Sequence, residues 1–326
     1  MKQTKKTYWS FIWRGFYSNR MAAGALALIV FFFLLALTAP IIANNKPYVY
    51  VEKGHVYFPL ALHYSKFEQT DFRKAPGFKI MPPVPYSYSE YDLNSIVEAP
   101  SVRHLFGTDE QGRDLLSRMI WGSRVSIFTG FVAVFIYVML GIFIGALAGY
   151  YGGWVDIVLS RIIEIVICFP TFFLILTILA LVGPSLLNVM IVIGVTGWTG
   201  IARIVRAEFL KLRETDFVIA SRALGSRNSR IIFRHILPNA LAPVLVSATF
   251  GIASTILIES SLSFLGFGVQ PPTPSWGEIL SQSRDYMDFA WWLTAIPGFA
   301  IFMTITAYNI SGEAFQDAID PQRIEK

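Results

Sequence analysis

A single cysteine, Cys168, serves all 326 residues, so neither an internal disulfide nor a thiolate metal site can be built within this chain. Charge is scarce as well. Asp, Glu, Lys and Arg make up 15% of residues, against roughly a quarter in soluble domains. No Gly immediately precedes a Lys, which excludes a GxxxxGK[ST] phosphate loop and leaves any ATP to another chain. None of His55, His63, His104 or His235 is followed by Glu, which removes the HExxH zinc arrangement, and no GxSxG elbow occurs. No Ser-His or paired-Asp set stands at matching depth in separate apolar runs, so intramembrane proteolysis has no footing either. No catalytic or metal-binding residue is expected.

What is abundant is apolar surface. Hydrophobic residues reach 54% and mean hydropathy is +0.52, values of an integral membrane protein. The net charge of +5 is modest and gathers at the ends of apolar runs, which suits membrane orientation and not nucleic-acid binding. Residues 1–20 carry Lys2, Lys5, Lys6, Arg14 and Arg20 with no acid, so this end is expected in the cytoplasm. The uncharged run from Met21 to Ile42 is long enough to cross a hydrocarbon core of about 30 Å, too long for a typical cleaved leader, and reads as an anchor.

From residue 44 to 121 the chain is expected outside. Its nine basic and nine acidic residues cancel, and its prolines favour turns and short extended pieces over long helices. At its end, Leu115, Leu116, Met119 and Ile120 oppose Asp114, Ser117 and Arg118, the pattern of a helix lying in the membrane interface. Five further spans are expected at about 125–148, 157–182, 186–204, 240–264 and 289–312. The second of the six carries Gly141, Gly145 and Gly149 at intervals of four, a stripe that permits close helix approach. Trp291 and Trp292 lead in the sixth, where indoles suit the headgroup boundary. Pro170, Pro243 and Pro297 are expected to bend their spans. Charges inside spans are few: Arg161 and Glu164 read as a local ion pair, and Glu259 either lines a cavity or gate or makes a structural hydrogen bond. Six spans return the C-terminus to the cytoplasm. The expected organisation is therefore a first helix within 1–43, an external segment 44–121, a five-helix core 122–312 with a loop at 209–239, and a tail 313–326.

The chain is organised around the polar interval from Arg213 to Asn239. Between Arg203 and His235 stand eight basic residues against three acidic ones, which places this stretch in the cytoplasm, where something soluble must meet it. Thr215 reads as an N-cap, with Asp216 in the first turn. Phe217, Ala220, Ser221 and Leu224 follow at helical spacing before Gly225 ends the helix, leaving Arg222 for acidic groups at a rim. The next apolar run opens at Leu237-Pro238-Asn239, with Pro near its first turn.

This arrangement resembles the EAA loop of ABC-importer permeases: two small residues (Ala220, Ser221), a Gly four positions later (Gly225), then a gap to Leu237-Pro238, with His235 and Asn239 completing HILPN. The stretches Phe106 to Arg124 (FGTDEQGRDLLSRMIWGSR), Ser261 to Leu280 and Asp317 to Arg323 are similar to the C-type subunit of oligopeptide and dipeptide permeases. Ile219 replaces the family's acidic residue and Ser221 its second Ala. The resemblance implies an all-α polytopic protein of about six transmembrane helices with the type I ABC importer fold, in the inner membrane. It also implies a second homologous permease, two cytoplasmic ATPases that hold ATP and Mg, and an external solute-binding protein that the 44–121 region helps to receive. Residues 216–225 would couple ATP hydrolysis to alternating access, and the cargo would be peptides, or by the same machinery nickel chelates or modified peptides. A self-sufficient secondary transporter is the competing reading, without half-helix sites or internal repeats to support it.

Overall fold

The computed structural model describes residues 16, 19–68 and 70–319. Lys2, Lys5, Lys6 and Arg14, and the 320–326 end of the tail, lie outside the described residues. Ten helices organise the rest: α1 Arg20–Ile42, α2 Leu115–Tyr151, α3 Gly153–Ile167, α4 Thr171–Val182, α5 Leu186–Thr196, α6 Trp198–Leu212, α7 Asp216–Ala223, α8 Asn228–Phe264, α9 Trp276–Gln282 and α10 Trp291–Ile319. Among the described residues five spans are long and apolar enough to cross a membrane, or six if the bent pair α3–α4 counts as one. The protein is mostly helical and multi-pass. Its contacts fall into two compact units.

The first unit takes the described residues up to Ile29, Thr129–Ile258 and those from Thr304. Its core joins Tyr137, Trp198, Ile201, Val205, Phe209, Val218, Ile231, Ile236 and Val244. The glycine stripe does what its spacing predicts. A Cβ at Gly141 would lie 2.6 Å from the Ile201 Cβ, one at Gly145 2.5 Å from the Ala202 carbonyl oxygen, and one at Gly149 2.5 Å from the Phe209 Cβ. Only hydrogen at these positions lets α2 and α6 meet. Between α2 and α3 the chain reverses through Gly152 and Gly153, at φ +66° and +52°, a region open to glycine at little cost.

Three expected spans differ from the sequence reading. The third is broken: α3 and α4 bend by 81°. Pro170 takes the N-cap position of α4 at φ −59°, ψ 115°, outside the helical region, and its missing N–H ends the ladder. The fourth, α5 with α6, runs on to Leu212, because the basic residues after Ile204 stay helical. The fifth begins at Asn228, not near Ala240, and passes through a π-helical turn, Ile231–Ile236.

The second unit comprises Val30–Phe128 and Glu259–Met303. Its described residues in 44–114 form short extended pieces and turns. Strands β1 Val49–Glu52, β2 His55–Tyr57 and β3 Phe78–Ile80 form an antiparallel sheet in the order β2-β1-β3, with Tyr50 opposite Tyr57 and Val51 opposite Phe78. The β1–β2 hairpin turns on Lys53 and Gly54, both at positive φ, as a two-residue turn with the right twist requires. Under the sheet, the Tyr50 ring packs edge-on to Phe67 and Phe72.

The interfacial helix expected at 114–121 is instead the first part of the 37-residue α2, and its polar side is buried. Asp114 caps it, Oδ1 accepting from the Ser117 N–H at 2.7 Å, while the Ser117 hydroxyl donates to the Tyr86 carbonyl at 2.9 Å. Polar side chains with protein partners do not need the membrane surface. Trp292 is likewise buried, its indole N–H donating to the Thr108 carbonyl at 3.2 Å, and Trp291 alone of that pair stays exposed.

Candidate functional site

The eight-residue α7 is set at a tight return from α6. Thr215 occupies its N-cap position but does not cap: both its hydroxyl and its N–H donate to the Leu212 carbonyl, at 2.5 and 3.1 Å, so the turn itself consumes the group expected to serve the helix. At the other end Gly225, φ +75°, donates to the Arg222 carbonyl, and Ser226 N–H reaches back to the Ser221 carbonyl at 3.1 Å. This pair of bonds is the Schellman closure, and the left-handed φ is why glycine stands there. Nothing lies within 4 Å of a Cβ built on Gly225, so the constraint is conformational, not steric.

Val218 is the residue that pins α7 to its own unit, fully buried in the core. Ser221, on the same side three residues on, is half-buried. The opposite side is apolar and open: Phe217 is 46% exposed and Leu224 86%, with Ala220 between them and Ile219 beside them. Asp216 and Arg222 are exposed too, but Arg222 leans back, its guanidinium 6.0 Å from the centre of the Tyr150 ring, so its first partner is aromatic and inside the chain. The Tyr150 hydroxyl donates to Asn228 Oδ1 at 2.8 Å, joining α2 to the start of α8.

The HILPN residues form a helical splice and not a helix start. Pro238 lies within α8 and has no N–H to give; the π turn before it re-pairs the backbone, Leu237 N–H reaching the Ile232 carbonyl five residues back. Asn239 closes the gap with its side chain, Nδ2 donating to the His235 carbonyl at 2.7 Å. His235 contributes that carbonyl and a half-buried ring.

Glu259 belongs to the second unit. It is fully buried and accepts from the Ser263 hydroxyl at 2.8 Å, with Ser126 and Ser260 at 3.4 and 3.5 Å. Ser126 also accepts the Trp276 N–H at 3.1 Å, so the carboxylate belongs to a serine cluster tying α2, α8 and α9.

Sequence reading missed a buried charge cluster in the same unit. Arg113 Nε lies 2.6 Å from Asp109 Oδ2; Arg118 reaches Glu278 Oε2 at 2.5 Å and the same Asp109 oxygen at 3.2 Å. Both arginines are fully buried. Beside them His104 Nδ1 bonds Asp114 Oδ2 at 2.9 Å, and burial pushes the Asp114 carboxyl up from its ordinary value although the Ser117 N–H and His104 pull the other way. Glu278 sits three residues after Ser275, whose hydroxyl caps α9 through the Glu278 N–H at 3.1 Å. That Ser-x-x-Glu spacing is legible as a helix start, but its Glu turns to Arg118 instead of closing a capping box. Among the described residues no group of three or more His, Cys, Asp or Glu is placed to hold a metal.

A chain with this many membrane-crossing helices and an apolar helix held open in a basic loop has the architecture of a multi-pass membrane permease. Residues 138–325 match the family "Binding-protein-dependent transport system inner membrane component", and residues 7–64 match "N-terminal TM domain of oligopeptide transport permease C". The chain belongs to the binding-protein-dependent transport system inner membrane component family, the permeases of ABC importers. It is 36% identical over 310 residues to the di/tripeptide transport system permease protein DppC of Pseudomonas aeruginosa, covering 95% of this chain and 91% of that one. It is 31% identical over 323 residues to the dipeptide transport system permease protein DppC of Bacillus subtilis, covering 99% and 88%. An inward-facing structure of the MetNI methionine ABC transporter superposes on 63% of this chain and 98% of its own, with TM-score 0.53 at 19% identity, a likeness of fold. These relatives are transport subunits, not enzymes, and so is this chain.

Proposed function

We propose that this permease forms half of the translocation pathway of an ATP-driven peptide importer and couples to a cytoplasmic ATPase through α7. The supporting observation is the open apolar side of α7, Phe217, Ala220 and Leu224, on a helix anchored from behind by Val218 and fixed in direction by Gly225. Apolar side chains exposed on a short helix in a basic loop suit a soluble partner's groove better than water. The basic residues from Arg203 to Arg234 support a reading with that loop and both termini on the cytoplasmic side and the 44–114 stretch outside, toward a solute-binding protein. ATP and Mg then reside on two ATPase subunits, and a second, homologous permease completes the pathway. Peptide cargo is supported by relatives whose names specify dipeptides and di/tripeptides. ATP binding would close the ATPases, carry α7 with them, and reorient the spans.

The test compares Phe217→Ala with Arg222→Ala in the assembled importer. Interface energy concentrates in a few buried apolar anchors, so the first should cost about 2 kcal/mol of ATPase docking, while the exposed charge of the second contributes about 0–1 kcal/mol. Cargo-stimulated ATP hydrolysis should fall with Phe217→Ala and survive Arg222→Ala. Equal, wild-type activity in both would remove α7 from the coupling role.

A further inference from the structure

The bent pair α3–α4 carries an ion pair on an exposed face. Arg161 Nη1 and Glu164 Oε2 are 2.5 Å apart on α3, yet their side chains are 71% and 57% exposed. Of α3, Ile163 alone is buried, so this chain does not cover the pair. The helix is half of a bent pair that only together is long and apolar enough to cross a membrane, where charges facing acyl chains are strongly disfavoured. A bent, interrupted helix within the membrane is tolerated where it is packed in protein or lines a watered cavity. The interruption at 168–170 divides the span into halves of 15 and 12 residues, close to its middle.

We infer that Arg161 and Glu164 line the transport path and form a subsite for the charged termini of a peptide, the guanidinium taking its carboxylate and the carboxylate its ammonium. This rests on the reading of the cargo as peptide. A guanidinium is the side chain best matched to a carboxylate, and the two groups satisfy each other until cargo arrives, so the empty path holds no unpaired charge. Three residues of helix separate the two by about 4.5 Å along the axis; the side chains converge to 2.5 Å, and cargo would part them toward the roughly 7 Å between the ends of an extended dipeptide. The one other charge on α3 and α4 is engaged elsewhere: Asp156 of α3 is bonded by Arg206 of α6 and by the Ser160 hydroxyl. The flanking Ile162, Ile165 and Phe169 are exposed and apolar, suited to cargo side chains of varied shape.

The experiment measures uptake by the complete importer of a free dipeptide, its N-acetyl form and its C-terminal amide, for wild type, Arg161→Gln and Glu164→Gln. Arg161→Gln should slow the free dipeptide about tenfold, the loss expected of one charge-assisted contact, and erase its preference over the amide. Glu164→Gln should do the same against the N-acetyl form. A pair that only holds the helix would change all three substrates alike and leave the ratios at their wild-type values, which would overturn the assignment. Loss of the partner subunits in both variants would overturn it too, since the pair would then bind the complex and not the cargo. If the wild-type importer takes up none of the peptides, it is the peptide reading that falls.

Discussion

Replacing Arg118 by methionine tests how the second unit is held. Its guanidinium, fully buried, serves Glu278 on α9 and Asp109 before α2, while Arg113 shares Asp109. The four side chains form a neutral set. Arg118→Met leaves one excess negative charge in it: Glu278 keeps only the Gln282 amide on Oε1, at 2.5 Å, and Asp109 keeps Arg113. Breaking a buried pair from one side costs about 3–5 kcal/mol, because the partner charge stays desolvated and uncompensated. Removing Glu278 as well, in Arg118→Met/Glu278→Met, restores neutrality with two apolar side chains of fitting length. The double variant should therefore be more stable than Arg118→Met alone, by about 2 kcal/mol or more. Thermal unfolding of the purified protein in detergent, followed by the fluorescence of the buried Trp276 and Trp292, measures all four corners of the cycle. If Arg118→Met is silent, or if the two substitutions simply add, the cluster does not act as a set and the reasoning fails.

Two further outcomes follow from the packing and from the buried acid. Gly145→Ala should destabilise by about 1–3 kcal/mol, since its methyl would meet the Ala202 carbonyl oxygen at 2.5 Å, whereas Gly298→Ala, with nothing within 4 Å, should stabilise α10 by up to about 1 kcal/mol; melting curves of the two variants give opposite signs if the glycine stripe is a contact and not a compositional accident. Because burial raises the Asp114 carboxyl above its unfolded value of 3.8, the folded protein binds that proton more tightly, and the stability this group contributes is lost as pH rises through the raised value. Asp114→Asn keeps an N-cap acceptor for Ser117 but cannot titrate, so its melting temperature should vary less than the wild type's across the acid range; an identical slope would show that Asp114 does not titrate there.

Much of this architecture is readable from local pattern. Runs such as 21–42 are uncharged over a bilayer's thickness, and Gly141, Gly145 and Gly149 announce a helix contact by spacing alone. Gly225 was legible for the same reason: a left-handed residue after a short helix has one common identity. What local pattern could not carry was partnership across the chain. Asp114, Ser117 and Arg118 look like the polar side of an interfacial helix until Glu278, 160 residues later, is seen against Arg118. Thr215 has the right type for a cap, but the Leu212 carbonyl competes for its hydroxyl. Pro238 fits a first turn as well as it fits a helix interior, and only the π turn and the Asn239 amide make the interior tenable. Pro170 signals a bend without its size, which is 81° between α3 and α4.

The measurement closest to the central claim is the accessibility of α7 with and without the ATPases. The native cysteine, Cys168, is exposed and must first be changed to serine; a cysteine is then placed at Ala220, in the middle of the open apolar side. In inside-out membrane vesicles from cells lacking the ATPase subunits, a maleimide should label position 220 readily. Adding the subunits back should slow that labelling at least tenfold, as burial in a docked groove requires, while a control cysteine at exposed Glu313 of α10 keeps its rate. Unchanged labelling of position 220 in vesicles where the ATPases are demonstrably bound would contradict the account.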